Sequence, residues 1–334
     1  MSTGAVAVVI STTPNQFPGL QTIGKIFFIV DLVLFLVFTG IMTSRSILKP
    51  AKLGASLQHP VEGLFSGAYW VSIALIINCM ELYGAPGTGP WLIKTLQVVY
   101  WIYVGIVLVV AIFQYFFYFP NQRLPVAGAM PAWIVGAVML QGLAWTVSLL
   151  MYGIYVQRLM ASELPLPPSR PGMYVSVGPA GYTAAGLISL GTNAPSVIAG
   201  NMFQVTTTAA GEVIEIMGVF AGSFILLFSF WFFCISTVSV ISGIRRMTFT
   251  LNWWAFVFPS AGLCLGAIQF ANAKASFNSR PVDGTVSALT ILLVIVWLVV
   301  AAATIKAVIE GRILWPGKDE DKDMKGIRWG RQVA

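Results

Sequence analysis

The chain has 334 residues, of which 57% are hydrophobic and only 9% are charged. Soluble domains carry about 25% charged residues, so this composition excludes a water-soluble protein and predicts a multi-span α-helical membrane protein. A β-barrel is disfavoured because the apolar runs are continuous rather than alternating. The net charge of +7 is typical of cationic loops on one membrane face, not of nucleic-acid binding.

Enzymatic and metal chemistry have no sequence signature in this chain. The three cysteines, Cys79, Cys234 and Cys264, lie inside apolar runs and are interpreted as packed side chains rather than disulfides or metal ligands. No phosphate-binding glycine loop, zinc-ligand spacing or nucleophile constellation is present. We therefore expect neither an enzyme nor a cofactor.

The apolar runs predict the membrane spans in chain order. A helical crossing takes about 20 residues, so the run at 1–10 is too short to cross. The opening residues also lack the basic region of a cleavable signal peptide. The eight full spans are predicted at 23–44, 61–83, 91–118, 132–156, 171–190, 213–243, 251–273 and 285–309. Together with the first run they form a transmembrane domain over 1–315, followed by a charged tail at 316–334.

The charges of the connections orient these spans. The connections without lysine or arginine are 11–22, 84–90 and 191–211, whereas cations gather at 45–52, 158–170, 245–246 and in the tail. The positive-inside rule places the second group, and with it the C-terminus, in the cytoplasm.

The span count conflicts with this orientation in the middle of the chain. Two cytoplasmic connections, 45–52 and 158–170, must be separated by an even number of spans, but the sequence supplies three. Either span 132–156 runs against its charges or one span is missing near 119–133. Arg123 favours the missing span, because it places that connection inside as well. The first span is also short, which suggests that Met1 is an internal methionine of a longer chain.

Several stretches carry a family resemblance that covers nearly the whole chain. They are "GLQTIGKIFFIVDLVLF", "HPVEGLF", "PAW", "QGLAW", "RPGMYVSVGPAG", "NWWAFVFPSAG" and "WPGKDEDKD". In combination they resemble the tellurite-resistance/dicarboxylate transporter family, and within it the fungal malic-acid permease branch. The pair "RPGM…VGP" and "WWAF.FP" is specific, although neither motif alone would decide the matter.

The resemblance implies a fold like that of plant slow anion channels. Ten helices form five hairpins, and the odd-numbered helices line a central pore. The inner helices of this chain would then be 1–10, 61–83, 171–190 and 251–273. The fifth helix should follow "PAW", but the sequence passes from Trp133 almost directly to "IVGAVMLQGLAW". Two of the five pore-lining helices would thus be damaged.

The function implied by this resemblance is transport of four-carbon dicarboxylates such as malate, with protons co-transported, in the plasma membrane. Sulfite efflux or a passive anion channel is an alternative within the same fold. A membrane protein that transports nothing, because a pore helix is absent, is an alternative of a different class. The expected partners are a small organic dianion, the lipid bilayer and, in a homo-oligomer, further copies of the chain; nucleic acid is not expected.

Arg170 is the first candidate for substrate binding. Pro171 suits the first position of a helix, and helix N-termini attract anions through free N–H groups. A guanidinium adds a fork that matches a carboxylate. The alternative is an ordinary cationic anchor at the cytoplasmic end of a span. Ser176 and Thr183 could add hydroxyl groups to the same site.

Phe258 is the candidate pore gate. It falls where the family's anion channels carry a phenylalanine that plugs the pore, and Pro259 interrupts the helix beside it. The alternative is plain packing, as for most phenylalanines in a membrane bundle.

Three further groups are able to titrate or pair within the membrane. His59 and Glu62 lie at the start of an inner helix and are candidates for proton coupling, although a helix cap explains them equally well. Asp31 lies within span 23–44, where an unpaired acid costs about 3 kcal/mol, so we expect it to pair with another helix.

Overall fold

The computed structural model describes residues 1–48, 67–121, 141–197, 210–273 and 280–313, and it confirms an all-α membrane protein. Within these ranges the chain forms nine α-helices. They are α1 (Ser2–Thr12), α2 (Leu20–Leu48), α3 (Gly67–Gly84), α4 (Pro90–Asn121), α5 (Gln141–Ala161), α6 (Val177–Val197), α7 (Ala210–Gly243), α8 (Phe258–Asn272) and α9 (Arg280–Ile309).

Six segments of the described part are long and apolar enough to cross a membrane. They are Leu20–Leu48, Gly67–Gly87, Pro90–Val107, Ala210–Arg246, Leu251–Asn272 and Val282–Ile309. The predicted spans 132–156 and 171–190 correspond to α5 and α6, which are not among the six. Helix α6 is rich in glycine, serine and threonine, a composition that suits a helix packed against protein rather than lipid.

Burial divides the helices into an inner and an outer set. In α1 every residue from Thr3 to Ile10 is buried, α8 is buried along most of its length, and α6 is buried over most of its first two turns. Helices α2, α4, α7 and α9 expose large apolar side chains, for example Phe38, Trp101, Phe224 and Leu298. Because exposed apolar surface on a membrane helix faces lipid, the assignment of 1–10, 171–190 and 251–273 as inner helices is confirmed. Helix α3, from the predicted inner span 61–83, is no more buried than α4, so its inner position rests on its packing against α1 and stays a prediction.

The inner helices pack in the order α3, α1, α8 and α6. Four outer helices, α2, α4, α7 and α9, each pack against the inner helix that precedes them. Helix α5 instead packs against α6, which follows it, and within the described residues α3 and α6 do not pack along each other. A missing inner helix between α4 and α5 would produce this arrangement. That helix stays a prediction, because 122–140 lies outside the described residues.

Two predicted spans begin differently from expectation. Arg170 and Pro171 lie inside a 3₁₀ segment, Pro167–Ser176, and α6 begins only at Val177. The prediction that Pro171 opens an α-helix was therefore wrong. Prolines at 165, 167, 168 and 171 remove backbone donors, which prevents a regular α-helix through this stretch. Leu251–Phe256 is likewise a 3₁₀ segment that precedes α8.

Candidate anion pathway

Helices α6 and α8 touch through their backbones. A methyl group added at Gly181 would lie 2.5 Å from the backbone carbon of Gly262, and one added at Gly178 would lie 3.3 Å from Cα of Pro259. Glycines at such positions allow two membrane helices to approach closely. The small residues of "GPAGYTAAG" thus bring α6 onto α8, which fixes the side chains at the N-terminal end of α8 relative to α6.

Phe258 lies at this contact, at the first residue of α8. Its ring stacks on Tyr182 of α6 with centroids 5.0 Å apart, and the Tyr182 hydroxyl donates a hydrogen bond of 3.1 Å to the Phe258 carbonyl. Pro259 follows in the first turn, where a missing N–H costs nothing. One tyrosine therefore holds both the ring and the backbone of the predicted gate.

Phe258 is packed in a buried cluster between the inner helices. Phe258 is 4% exposed and belongs to one buried cluster with residues of α1, α3 and α8, such as Val9, Leu75 and Cys264. A ring at the junction of three inner helices is placed to obstruct a path between them. The same contacts also fit a packed core residue, so the gate stays a prediction.

Ser176 and Thr183 are both buried. The Ser176 hydroxyl donates to the Met173 carbonyl at 2.7 Å, and the Ser176 carbonyl accepts a hydrogen bond from the Tyr152 hydroxyl of α5. This geometry commits the Ser176 hydroxyl within its own turn. Thr183 lies on α6 one residue after Tyr182 and is 6% exposed. Both remain predicted substrate contacts.

Arg170 is docked on the C-terminal end of α7. Its Nη1 donates to the Ser239 carbonyl at 2.9 Å and to the Ser242 hydroxyl at 2.8 Å, and its Nε donates to the Pro165 carbonyl at 2.9 Å. A cation at a helix C-terminus is stabilised by the carbonyl groups there. With Nε and Nη1 occupied, Nη2 is left for a substrate, so a two-point grip on a carboxylate would require rearrangement.

Of the remaining titratable candidates, only Asp31 lies within the described residues. His59 and Glu62 lie outside the described residues. Asp31 is 3% exposed and its Oδ1 lies 3.2 Å from the amino group of Met1. The carboxylate rests against the first turn of α1, where a methyl group at Gly4 would lie 2.6 Å from Oδ2. This contact is with the amino group at the start of this sequence, so the expected pairing of Asp31 with another helix stays a prediction.

The sequence reasoning missed two features of this region. Tyr182 was not singled out, although an aromatic residue between two glycine-rich turns signals a side chain set against a neighbouring backbone. The role of Gly243 was also missed, where an added methyl group would lie 2.6 Å from Nη1 of Arg170. No local pattern reveals that contact, because the two residues are far apart in the chain.

Comparison with known families identifies the fold. The profile of the SLAC1 family, voltage-dependent anion channel, matches residues 1–305. The chain belongs to this family. The resemblance seen in the sequence is thereby confirmed, and membership of this family implies a small anion substrate and a membrane setting.

Two named relatives illustrate the range of anions in the family. The chain is 28% identical to the malic acid transport protein of Schizosaccharomyces pombe, over 96% of this chain and 79% of the relative. It is 25% identical to the sulfite efflux pump SSU1 of Arthroderma benhamiae, over 91% of this chain and 88% of the relative. The first alignment spans 353 positions, more than the 334 residues of this chain, so that relative has residues with no counterpart here.

Proposed function

We propose that the protein transports four-carbon dicarboxylates, malate first, across the plasma membrane. The observation that carries the proposal is the similarity to the malic acid transport protein, which reaches a higher identity over more of this chain than the similarity to the sulfite pump. A dicarboxylate also fits the cationic connections that the positive-inside rule places in the cytoplasm.

In this proposal Phe258 is the gate. Its ring is buried between α1, α6 and α8, and Tyr182 holds it there through stacking and a hydrogen bond. Substrate passage requires the ring to turn away from Tyr182, which opens a path between the inner helices. Thr183 of α6 and Ser176, at the end of the preceding 3₁₀ segment, are the proposed hydroxyl contacts, and the Ser176 hydroxyl must first leave the Met173 carbonyl.

Arg170 attracts the dianion at the cytoplasmic mouth. The C-terminus stays in the cytoplasm, as the positive-inside rule requires. Arg170 faces the end of α7 through Nη1, so its contribution to binding comes from its charge and from Nη2. Proton co-transport would use His59 or Glu62, the ionisable groups at the start of an inner helix.

Among the described residues, α3 and α6 do not pack along each other, so the described inner helices do not form a closed ring. If no other part of the chain closes this side, an alternating gate lacks a complete wall, and the chain would transport slowly or leak. In the alternative function, sulfite efflux, a smaller anion would pass along the same path. A non-transporting protein is the outcome if the open side collapses in the membrane.

The test uses the purified chain in proteoliposomes. Malate, sulfite and chloride fluxes are measured with an internal pH dye, against protein-free vesicles. A second protein carries the segment of the Schizosaccharomyces pombe relative that has no counterpart here. The proposal predicts malate flux with internal acidification, faster in the second protein. Sulfite flux without malate flux selects the alternative, and the absence of flux from both proteins in folded form contradicts transport.

A further inference from the structure

A cavity of about 430 Å³ opens at the C-terminal end of α7. Three arginines line it: Arg170 from the 3₁₀ segment between α5 and α6, and Arg245 and Arg246 from the turn after α7. Its volume is within the range of about 300–1,000 Å³ that small-ligand sites occupy. The cavity is separate from the buried Phe258 junction described above.

The charge of the cavity is uncompensated. Arg245 and Arg246 are exposed and form no ion pair with any acid of the described residues. No acidic side chain is among the residues that line the cavity. The C-terminal carbonyls of α7 would repel an anion, but Arg170 covers the Ser239 carbonyl with its Nη1. The cavity therefore attracts a negatively charged group.

The second wall of the cavity is apolar and faces lipid. Ile241 and Ile244 line it and are 61% and 62% exposed, and Val238 continues the same face of α7 toward the membrane. Helix α7 is one of the segments able to cross the bilayer, so its last turn lies at headgroup depth. A cationic wall next to a lipid-facing wall fits a molecule with an anionic head and an acyl tail.

We propose that this cavity binds the phosphate of an anionic phospholipid in the cytoplasmic leaflet. Arginine forks match phosphate oxygens, and basic pockets at the cytoplasmic ends of membrane helices take such headgroups. The acyl chains lie along Val238, Ile241 and Ile244. A free dianion such as malate gains nothing from these side chains, which favours the lipid.

The test compares two double variants that each remove two cations. The double variant Arg245→Gln with Arg246→Gln removes the two unpaired positive charges that line the cavity. Lys306→Gln with Arg312→Gln removes two cations at the end of α9, outside the cavity. Dioleoyl phosphatidic acid is titrated onto the purified full chain in detergent, and bound lipid is counted by native mass spectrometry with phosphatidylcholine as reference. We expect binding about 30-fold weaker in the first variant only, the effect of two cations near an anionic surface.

Further arms separate the sources of the phosphate. Glycerol 3-phosphate and malate at the same concentrations should not displace the lipid. The variant Arg245→Lys with Arg246→Lys keeps the charge but loses the forks, so its binding should lie between that of the parent and that of the glutamine variant. Equal losses in both glutamine variants, or displacement by either soluble anion, would overturn the proposal. A melting temperature in phosphatidylcholine that is unchanged by the substitutions shows that every variant is folded, and transport is not needed for the readout.

Discussion

Helix α6 meets its neighbours in two different ways. Toward α8 the two backbones touch at Gly181 and Gly262, with no side chain between them. Toward α5 the contact is made by large side chains, since Tyr152 and Tyr155 of α5 share a buried cluster with Val177 and Ala180 of α6, and the Tyr152 hydroxyl donates to the Ser176 carbonyl just before α6. One side of α6 is fixed to a fraction of an ångström, and the other is spaced by large side chains.

The difference shows which part of the fold can tolerate change. A backbone contact leaves no free volume and accepts one geometry, whereas rings of several sizes fill a wider gap. The wider side is also the side where α5 has no preceding inner helix among the described residues. We infer that the α6–α8 contact carries the working geometry of the pathway, while α5 is a looser support.

The largest difference in stability between a variant and its matched control is expected from Gly181→Ala. The added methyl group would meet backbone atoms of α8 at 2.5 Å, and overpacking of this kind costs about 1–3 kcal/mol. The matched control is Gly153→Ala on α5, where a methyl group would meet no atom within 4 Å. Thermal unfolding in detergent should show a lower melting temperature for Gly181→Ala than for the parent protein. The melting temperature of Gly153→Ala should not be lowered. Equal losses would remove the distinction between the two sides.

The next prediction compares the anion conductance of variants at two buried phenylalanines, Phe258 and Phe232. Phe258→Ala and Phe232→Ala each remove a buried ring, at a packing cost of about 3–5 kcal/mol in protein cores. The gate proposal expects a rise in anion conductance per molecule at the surface for Phe258→Ala alone. Chloride or nitrate currents, normalised to surface-labelled protein, provide the measurement. If a well-expressed Phe258→Ala protein conducts no more than the parent, Phe258 is a packing residue.

Much of this arrangement could be predicted from the sequence, and the limits have physical causes. The inner position of 1–10, 171–190 and 251–273 followed from the family resemblance that the motifs carry, because the odd-numbered helices of that fold line the pore. The docking of Arg170 on Ser239 could not be predicted, since a cation at a span end looks the same whether it faces water or a neighbouring helix. The start of α6 was misplaced because several prolines favour the 3₁₀ segment over an α-helix.

A smaller effect is expected at the mouth of the path. Arg170→Ala removes three hydrogen bonds to α7 and the 165–168 stretch, and partial exposure limits the loss to about 1 kcal/mol. Gly243→Ala keeps the charge but displaces Nη1, to which the methyl group would come within 2.6 Å. If Arg170 attracts substrate by its charge, Arg170→Ala should raise the apparent KM for malate. Gly243→Ala should leave the apparent KM unchanged. Unchanged KM values in both variants would leave Arg170 a structural anchor only.

The smallest effect compares two tyrosine hydroxyls. Tyr152→Phe and Tyr182→Phe each remove one donor to a backbone carbonyl of an adjacent helix, worth about 0.6 kcal/mol in membrane proteins. Both should lower stability slightly. Only Tyr182→Phe should change the opening of the gate, by about threefold in conductance, because its partner is the Phe258 carbonyl. Single-channel or flux measurements on both variants provide the comparison, and an equal change in both would contradict it.

The central claim is that α5 keeps the orientation of a family outer helix although, among the described residues, no inner helix lies between α4 and α5. Residues 122–140 then connect opposite faces, which needs about nine extended residues for a 30 Å crossing. Single cysteines at Asn121 and Gln141, in a background with Cys79, Cys234 and Cys264 replaced, are labelled with a membrane-impermeant maleimide from each side. The account predicts labelling of position 121 from the cytoplasm and of position 141 from outside. Labelling of both positions from the same side would contradict it.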